Sequence, residues 1–455
     1  MNIVVLNGSP KGETSVTMQY VKYLQKVNAA HTFVTHPVAH IIRKLENDAE
    51  ALQAVIDDVR RADAVLWAFP LYVCVVHADY MRFIELITER GYADAFAGKP
   101  TAALSTSIHF FDHTAHAYLH AVCDDLDMNY CGFFSANMDD LLQEENRRSL
   151  EFFGADFLAQ AQQNLPSIRR YPPVLPQPWQ YVPGATAAKL ADTGKRILII
   201  TQGIADSPNL QRMVARLTGR FAQADIVDLD QIRILGGCRG CIRCGLSNEC
   251  VYGDKDDIAQ LYNQRIQQAD IVLFAAPLRG RFLSARFKTF MDRRFLNTHQ
   301  PQMVGKQIAY LISGPLGHNA NVAEVLQAMA ELDQATLAGI VTDEGQDAAA
   351  LDARLDALAE QLLRLAAQGY RRPATFLGVG GQKVFRDDIY ARLRFPFLAD
   401  HRYYKTHGMY DFPQKQRRAI VLNTVWSVLS RFRQVRQQMM AEVPKQMIAP
   451  YQRYL

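Results

Sequence analysis

The sequence has no apolar run approaching the ~18–20 residues that a membrane-spanning helix needs. Nor does one sign of charge dominate: 50 Lys+Arg stand against 46 Asp+Glu, so the whole chain carries no nucleic-acid signature. The opening residues, MNIVVLNGSP, lack a basic n-region and a small-residue cleavage site, and so do not read as a secretory leader. Neither a Walker A loop nor a G-x-G-x-x-G fingerprint occurs where a strand meets a helix. Cysteine is sparse, with seven residues in all. Cys74, Cys123 and Cys131 are isolated among apolar neighbours and read as buried free thiols. Isolated core thiols beside one clustered motif suit a reducing cytoplasm better than a disulfide framework. What remains is a 455-residue chain, 49% hydrophobic, long enough for two or three globular domains.

The other four cysteines form the densest chemical signal. Cys238, Cys241, Cys244 and Cys250 make a C-x2-C-x2-C-x5-C run within GCRGCIRCGLSNECVYGDKD. Three thiols spaced by two residues can converge on one soft metal centre, and the fourth closes the shell. A zinc ribbon would show two separated C-x2-C pairs, so the compact triple favours a [4Fe–4S] cluster. Zinc, or thiols holding no metal, are the readings beside it. A redox dithiol of Cys241 and Cys244 would leave the outer pair unexplained.

The rest of the chain alternates strand and helix. Residues 2–6 form an apolar run without alternation, as in a strand covered on both faces. It leads into Gly8-Ser9-Pro10-Lys11-Gly12-Glu13-Thr14-Ser15-Val16-Thr17 and a helix to about Val27, an arrangement that binds phosphate through backbone N–H groups and hydroxyls. Strands are predicted at 31–35, 64–69, 101–104 and 130–135, with helices near 47–60, from His77, 114–126 and 141–163. Five strands alternating with helices argue for a doubly wound parallel sheet, whose ligands sit at the carboxyl ends of the strands. The Ser9 loop, Pro70-Leu71-Tyr72 and residues 105–109 all fall there.

Six prolines between Pro166 and Pro183 mark an extended linker, and the pattern then restarts. Residues 196–200 match the first strand, 209–221 the first helix and 225–229 the second strand. ADIVLFAAPL at 269–278 parallels ADAVLWAFPL at 62–71, residues 308–313 mirror the fourth strand, and 351–367 supply a last helix. The expected fold is therefore α/β, two five-stranded doubly wound sheets in tandem. The expected divisions are 1–165, a linker at 166–194, a second domain at 195–370 and a basic, mostly helical extension at 371–455.

On these motifs the N-terminal half resembles the flavodoxin-like NAD(P)H-dependent FMN reductases, whose phosphate loop reads Gly-Ser-Pro-Lys/Arg followed by small hydroxyl residues. The C-terminal half resembles the iron–sulfur flavoproteins, a branch of the same superfamily with this cysteine run and an acidic pair after it, here Asp256-Asp257. The resemblance covers residues 1 to about 370. It implies an FMN phosphate at Ser9, Lys11, Ser15 and Thr17, and a flavin ring against Pro70, Leu71 and Tyr72. Ser105, Thr106, Ser107, Ile108 and His109 would close one side. Chemistry would reside on the flavin, with no catalytic side chain assigned. The implied electron donor is NAD(P)H or a ferredoxin-like protein, and the acceptor a small molecule such as a quinone or flavin. The halves depart from the family in complementary ways: the first lacks the cysteines, and the second carries Asp206 where a phosphate would lie and Arg279 where the first has Tyr72. One FMN in the first half and at most one cluster in the second follow. The repeat reads as a fused pseudo-dimer in which the cluster loop faces the flavin of the other half, with homo-oligomers of the whole chain left open. A cluster-free NAD(P)H-dependent FMN or quinone reductase, and a flavin carrier without turnover, are the competing readings.

Other residues take plainer readings. His77, His109, His113 and His116 lack a metal-ligand pattern and read as solvent-side or flavin-loop residues. Asp139-Asp140 and Glu144-Glu145 read as a solvated helix start. From Arg371 onward sixteen Lys/Arg face five Asp/Glu. A basic helix over 415–440 is expected there, its apolar side (Ile420, Val421, Val425, Val428, Leu429) packed on the protein. Docking of that helix on an anionic membrane surface is the alternative.

Overall fold

A computed structural model describes residues 1–175, 178–185 and 187–452. By contacts the chain divides after His401, into a unit of residues 1–401 and a second of residues 402–455.

The first half of the large unit contains β1 (Asn2–Asn7), α1 (Val16–Val27), β2 (Thr32–His36), α2 (Ile42–Asn47), α3 (Ala49–Arg61) and β3 (Ala64–Pro70). These are followed by α4 (Ala78–Glu89), β4 (Pro100–Ser107), α5 (Asp112–Asp125), β5 (Asn129–Asn137) and α6 (Glu144–Gln163). The five strands are parallel in the order β2-β1-β3-β4-β5. β1, β3 and β4 are buried along almost their whole length, because helices cover both faces. The strand order reverses at β1/β3, the crevice where such sheets bind ligands.

The second half repeats the design with β6 (Ile197–Thr201), α7 (Pro208–Arg220), β7 (Asp225–Asp228), α8 (Cys244–Ser247), α9 (Ile258–Gln260) and β8 (Ile271–Arg279). Then come β9 (Phe282–Leu283), α10 (Ala285–Arg293), β10 (Gln307–Ser313), α11 (Ala320–Leu332), β11 (Thr336–Thr342) and α12 (Ala348–Ala367). Five parallel strands take the same order, β7-β6-β8-β10-β11. The short β9 pairs antiparallel with the end of β8 and makes this sheet six-stranded, one more than its repeat.

α4 and α10 join the halves. The backbone N–H of Ala78, opening α4, donates to Asp292 Oδ2 at 2.8 Å; that of Ala285, opening α10, donates to Glu85 Oε1 at 2.7 Å. Ala78 corresponds to Ala285 and Glu85 to Asp292 under the shift that aligns Pro70 with Pro277. The two bonds are thus images of one another, and the helices run antiparallel about a pseudo-twofold axis. One apolar core runs through both halves, holding Trp67 and Phe96 of the first and Phe274 and Phe290 of the second.

Among its described residues the proline-rich linker forms no helix or strand and is tied down: Arg170 and Tyr171 donate N–H bonds to Asp124 Oδ2 at 2.9 and 2.8 Å, and Tyr181 is fully buried. Pro176 lies outside the described residues. Beyond α12, α13 (Phe376–Tyr390) packs on α11.

α14 (Leu398–Thr406) straddles the division. The second unit holds α15 (Arg417–Leu429) and α16 (Arg433–Ile448), two helices where the sequence suggested one. α15 has no buried residue, so the expected burial of its apolar side is not found.

Candidate functional site

The Ser9 loop is built as a turn feeding a helix start. Asn7, at the end of β1, accepts the Ser9 N–H through Oδ1 at 2.9 Å, and Ser9 Oγ accepts the Lys11 N–H at 3.2 Å. Gly12 takes φ +57°, a conformation most side chains avoid. Ser15 caps α1 by accepting the Met18 N–H at 3.2 Å, leaving the other N–H groups of the first helical turn toward the loop. Ser9, Ser15 and Thr17 are buried and Lys11 is exposed. Thr17 and Thr106 share a hydroxyl–hydroxyl bond of 2.7 Å, which joins the first loop to the end of β4. Leu71 N–H donates to Thr106 O at 3.1 Å and brings in the Pro70-Leu71-Tyr72 loop. All three predicted loops therefore meet at one sheet edge.

The third loop is ordered by a polar chain. Ser105 Oγ lies 2.8 Å from His116 Nε2 and 3.3 Å from Ser135 Oγ. Ser135 Oγ donates to Asp112 Oδ2 at 2.7 Å, and the same carboxylate holds His109 Nδ1 at 2.9 Å. Ser107 Oγ accepts the His109 N–H at 2.8 Å. His116 is buried and stacked on Phe133 at 4.2 Å; burial pushes its pKa down to about 4, against the pull of Asp112. Burial raises Asp112 less than the His109 and Ser135 bonds and the nearby imidazoles lower it, so its carboxyl sits below the usual range. His77 is likewise fully buried, so the solvent-side reading fails for His77 and His116 and holds for exposed His109 and His113.

The cysteine loop of the second half lies directly on these loops. His77 caps α4 by accepting the Asp79 N–H on Nδ1 at 3.1 Å, so Nε2 carries the proton and donates to Cys238 O at 2.8 Å. A Cβ placed on Gly240 (φ +60°) would sit 2.1 Å from Tyr72 Oη and 3.0 Å from Lys11 Cε. Burial, then the neighbouring Cys238 thiol, pushes the Tyr72 phenol well above its ordinary value. Only glycine permits this approach, because it supplies the left-handed turn and leaves room for the tyrosine.

Cys238, Cys241, Cys244 and Cys250 line one small cavity with Arg239, Tyr252, Arg293 and Phe295. Burial pushes the Cys238 and Cys244 thiols up to about 12. Arg293 Nη2 lies 3.7 Å from Cys250 Sγ, and its guanidinium is held by Asp256 at 2.7 and 3.0 Å over the Tyr252 ring at 4.1 Å. Four thiols around one cavity, with a cation beside them, match the donor set of a thiolate-bound cluster. Among the described residues, however, no three His, Cys, Asp or Glu side chains converge closely enough to hold a metal ion as they stand. For FMN the fit rests on the N–H groups at the start of α1 and on Asn7 Nδ2, a buried donor with no partner among the described residues.

The corresponding edge of the second half is blocked by carboxylates, though not by Asp206, which is exposed and faces Arg279 at 3.9 Å. Asp230 accepts the Gly203 N–H at 2.7 Å. Asp343 accepts Asn209 Nδ2, Ser313 Oγ and the Gly314 N–H at 2.8–2.9 Å. The Gly203, Asn209, Ser313 and Gly314 donors at this edge are thus held by fixed negative charge, and the linker residues Pro173, Val174 and Trp179 line the adjacent cleft. Nothing in the local sequence around Asp206 pointed to Asp230 or Asp343, which arrive from the ends of β7 and β11.

Together the fold and its loops define a tandem flavodoxin-like flavoprotein. The model of the NADPH-dependent FMN reductase family matches residues 1–135 and again residues 196–346, and the chain belongs to that family. An iron-sulfur flavoprotein of Archaeoglobus fulgidus is 35% identical over 69 residues, 15% of this chain and 30% of that protein, so the chain spans under a third of this relative's length. Among solved structures, an apo NADH:FMN oxidoreductase is 18% identical with a TM-score of 0.31, covering 35% of this chain and 89% of the other. A flavoenzyme NAD(P)H:(acceptor) oxidoreductase from Paracoccus denitrificans is 21% identical with a TM-score of 0.31, covering 36% and 98%.

Proposed function

We propose that this chain is an NAD(P)H-dependent FMN oxidoreductase with two centres, an FMN over the strand ends of the first half and a [4Fe–4S] cluster in the cysteine loop of the second. The observation that carries the reading is the seating of Gly240 on Tyr72 and Lys11, with the His77–Cys238 bond beside it. A soft-metal loop brought this close to a flavin edge suits single-electron exchange between the two. FMN would supply the conversion between hydride and single-electron chemistry. Ser9, Lys11, Ser15 and Thr17 would hold its phosphate. Pro70, Leu71, Tyr72, Ser105, Thr106, Ser107 and His109 would flank its ring, and Cys238, Cys241, Cys244 and Cys250 would ligate the cluster. His77 fixes the loop and keeps its own proton on Nε2; Tyr72, held neutral, excludes water between the sites. The donor is NAD(P)H or a ferredoxin-like protein, and the acceptor a quinone, a flavin or a similar small molecule.

A second reading is a cluster-free NAD(P)H-dependent FMN or quinone reductase, favoured by the lack of convergence among the described cysteine side chains. The deciding experiment measures flavin, iron and acid-labile sulfide per chain after anaerobic purification, with Cys241→Ser alongside. One FMN and about four irons, the irons lost in the variant, are expected for a cubane centre. FMN without iron would leave the plain reductase.

A further inference from the structure

We propose that α15 is a docking element for an anionic lipid surface. Between residues 412 and 440 every charged side chain is basic: Lys415, Arg417, Arg418, Arg431, Arg433 and Arg436. They bracket residues 419–430, which carry no charge. Within that stretch Val421, Leu422, Val425, Trp426 and Val428 are 43–63% exposed, and Phe432 just beyond it is 64% exposed. At helical spacing Val421, Leu422, Val425, Trp426, Val428 and Leu429 share one side of α15, while Asn423, Thr424 and Ser427 lie on the other.

So much aliphatic and aromatic surface on a single helix is costly in water. The two features together select the occupant. An acidic protein or a nucleic acid would satisfy the arginines yet leave the apolar side wet. A neutral apolar partner would leave six cations unmatched. An anionic bilayer surface accepts both, with apolar side chains entering the headgroup–acyl boundary and arginines meeting phosphates. At 13 residues α15 is about 20 Å long, short of the ~30 Å hydrocarbon core, so it lies along the interface.

The test is co-sedimentation of the full chain with vesicles of phosphatidylcholine alone and of phosphatidylcholine with 30% phosphatidylglycerol, percentages set by the experiment and on the order of natural anionic content. Binding is expected to the anionic vesicles only, to weaken in high salt, and to shift Trp426 emission to the blue in a manner lost in Trp426→Phe. Arg431→Ser/Arg433→Ser/Arg436→Ser should lower the partition coefficient on the order of 100-fold. Val421→Asp/Val425→Asp should abolish binding while flavin content and NAD(P)H oxidation stay unchanged. No binding to anionic vesicles at low salt would overturn the proposal, as would equal binding by the variants. So would a dimer of the full chain that the Val421/Val425 variant converts to monomer, since a second copy would then be the occupant.

Discussion

At the scale of single residues, His116 is the most informative titratable group. It is buried beside Phe69 and Phe133, hydrogen-bonded to Ser105, and shifted down to about 4 because burial disfavours the imidazolium more than Asp112 favours it. The folded chain therefore holds it neutral while the unfolded chain protonates it near 6.5. A depressed folded-state value contributes stability that is present above the unfolded pKa and is lost as pH falls through the folded one. Between pH 7.5 and pH 4 the loss from this one residue should be roughly 3 kcal/mol. Urea unfolding of the wild type and His116→Gln across that window checks it: the difference between their stabilities should shrink by about that amount on acidification. A constant difference would mean that the imidazole is charged in the folded state.

Residue identity made the site only partly legible. The turn and helix start at Gly8–Thr17 were legible because its glycine, hydroxyls and following helix each have a local reason to be there. The Pro70-Leu71-Tyr72 and Ser105–His109 segments could be placed because parallel sheets put strand ends together, and Thr17, Thr106 and Leu71 do meet. Asp230 and Asp343 were invisible, since a carboxylate that blocks a loop from across the sheet leaves no mark within the loop. The burial of His77 and His116 was missed for a related reason: His77 caps α4 and His116 lies in the second turn of α5, and the cover of each comes from distant elements. The exposure of α15 ran against its composition, because an apolar stripe in sequence says that something covers the helix without saying what.

At the scale of elements, the antiparallel pair α4 and α10 uses one device twice and then departs from it. Glu85 is partly solvated, and a bond from Arg82 at 2.9 Å helps to hold it. Asp292 is fully buried and paired with the equally buried Lys288, whose counterpart in the first half is Met81. Removing one member of a buried pair strands the other charge, whereas replacing both with apolar side chains of similar volume does not. Asp292→Ala is accordingly expected to cost about 3–5 kcal/mol, and Lys288→Met/Asp292→Leu to recover most of that. Urea midpoints at constant m value would report it. Equal destabilisation by the single and double variants would show instead that the carboxylate acts mainly as the cap on α4, through its bond to Ala78.

At the scale of the whole molecule, the tandem arrangement turns what is a subunit interface in a symmetric oligomer into the interior of one chain. Two identical halves would have given two identical sites. Here the first carries the Gly8–Thr17 loop, the second carries the thiols, and the pseudo-twofold axis sets each unlike feature against the other. That division requires the halves to hold a fixed register, which the shared core supplies: Trp67 and Phe96 belong to the same apolar cluster as Phe274, Phe287 and Phe290. A chain whose halves share a core loses both sides of it when either half opens. Residues 1–401 should therefore unfold in one calorimetric transition, with the van't Hoff and calorimetric enthalpies in agreement. Two resolved transitions, one per repeat, would mean that the halves are separate cooperative units. The alignment of the cysteine loop on Tyr72 would then depend on docking of the halves, and could be lost without unfolding either sheet.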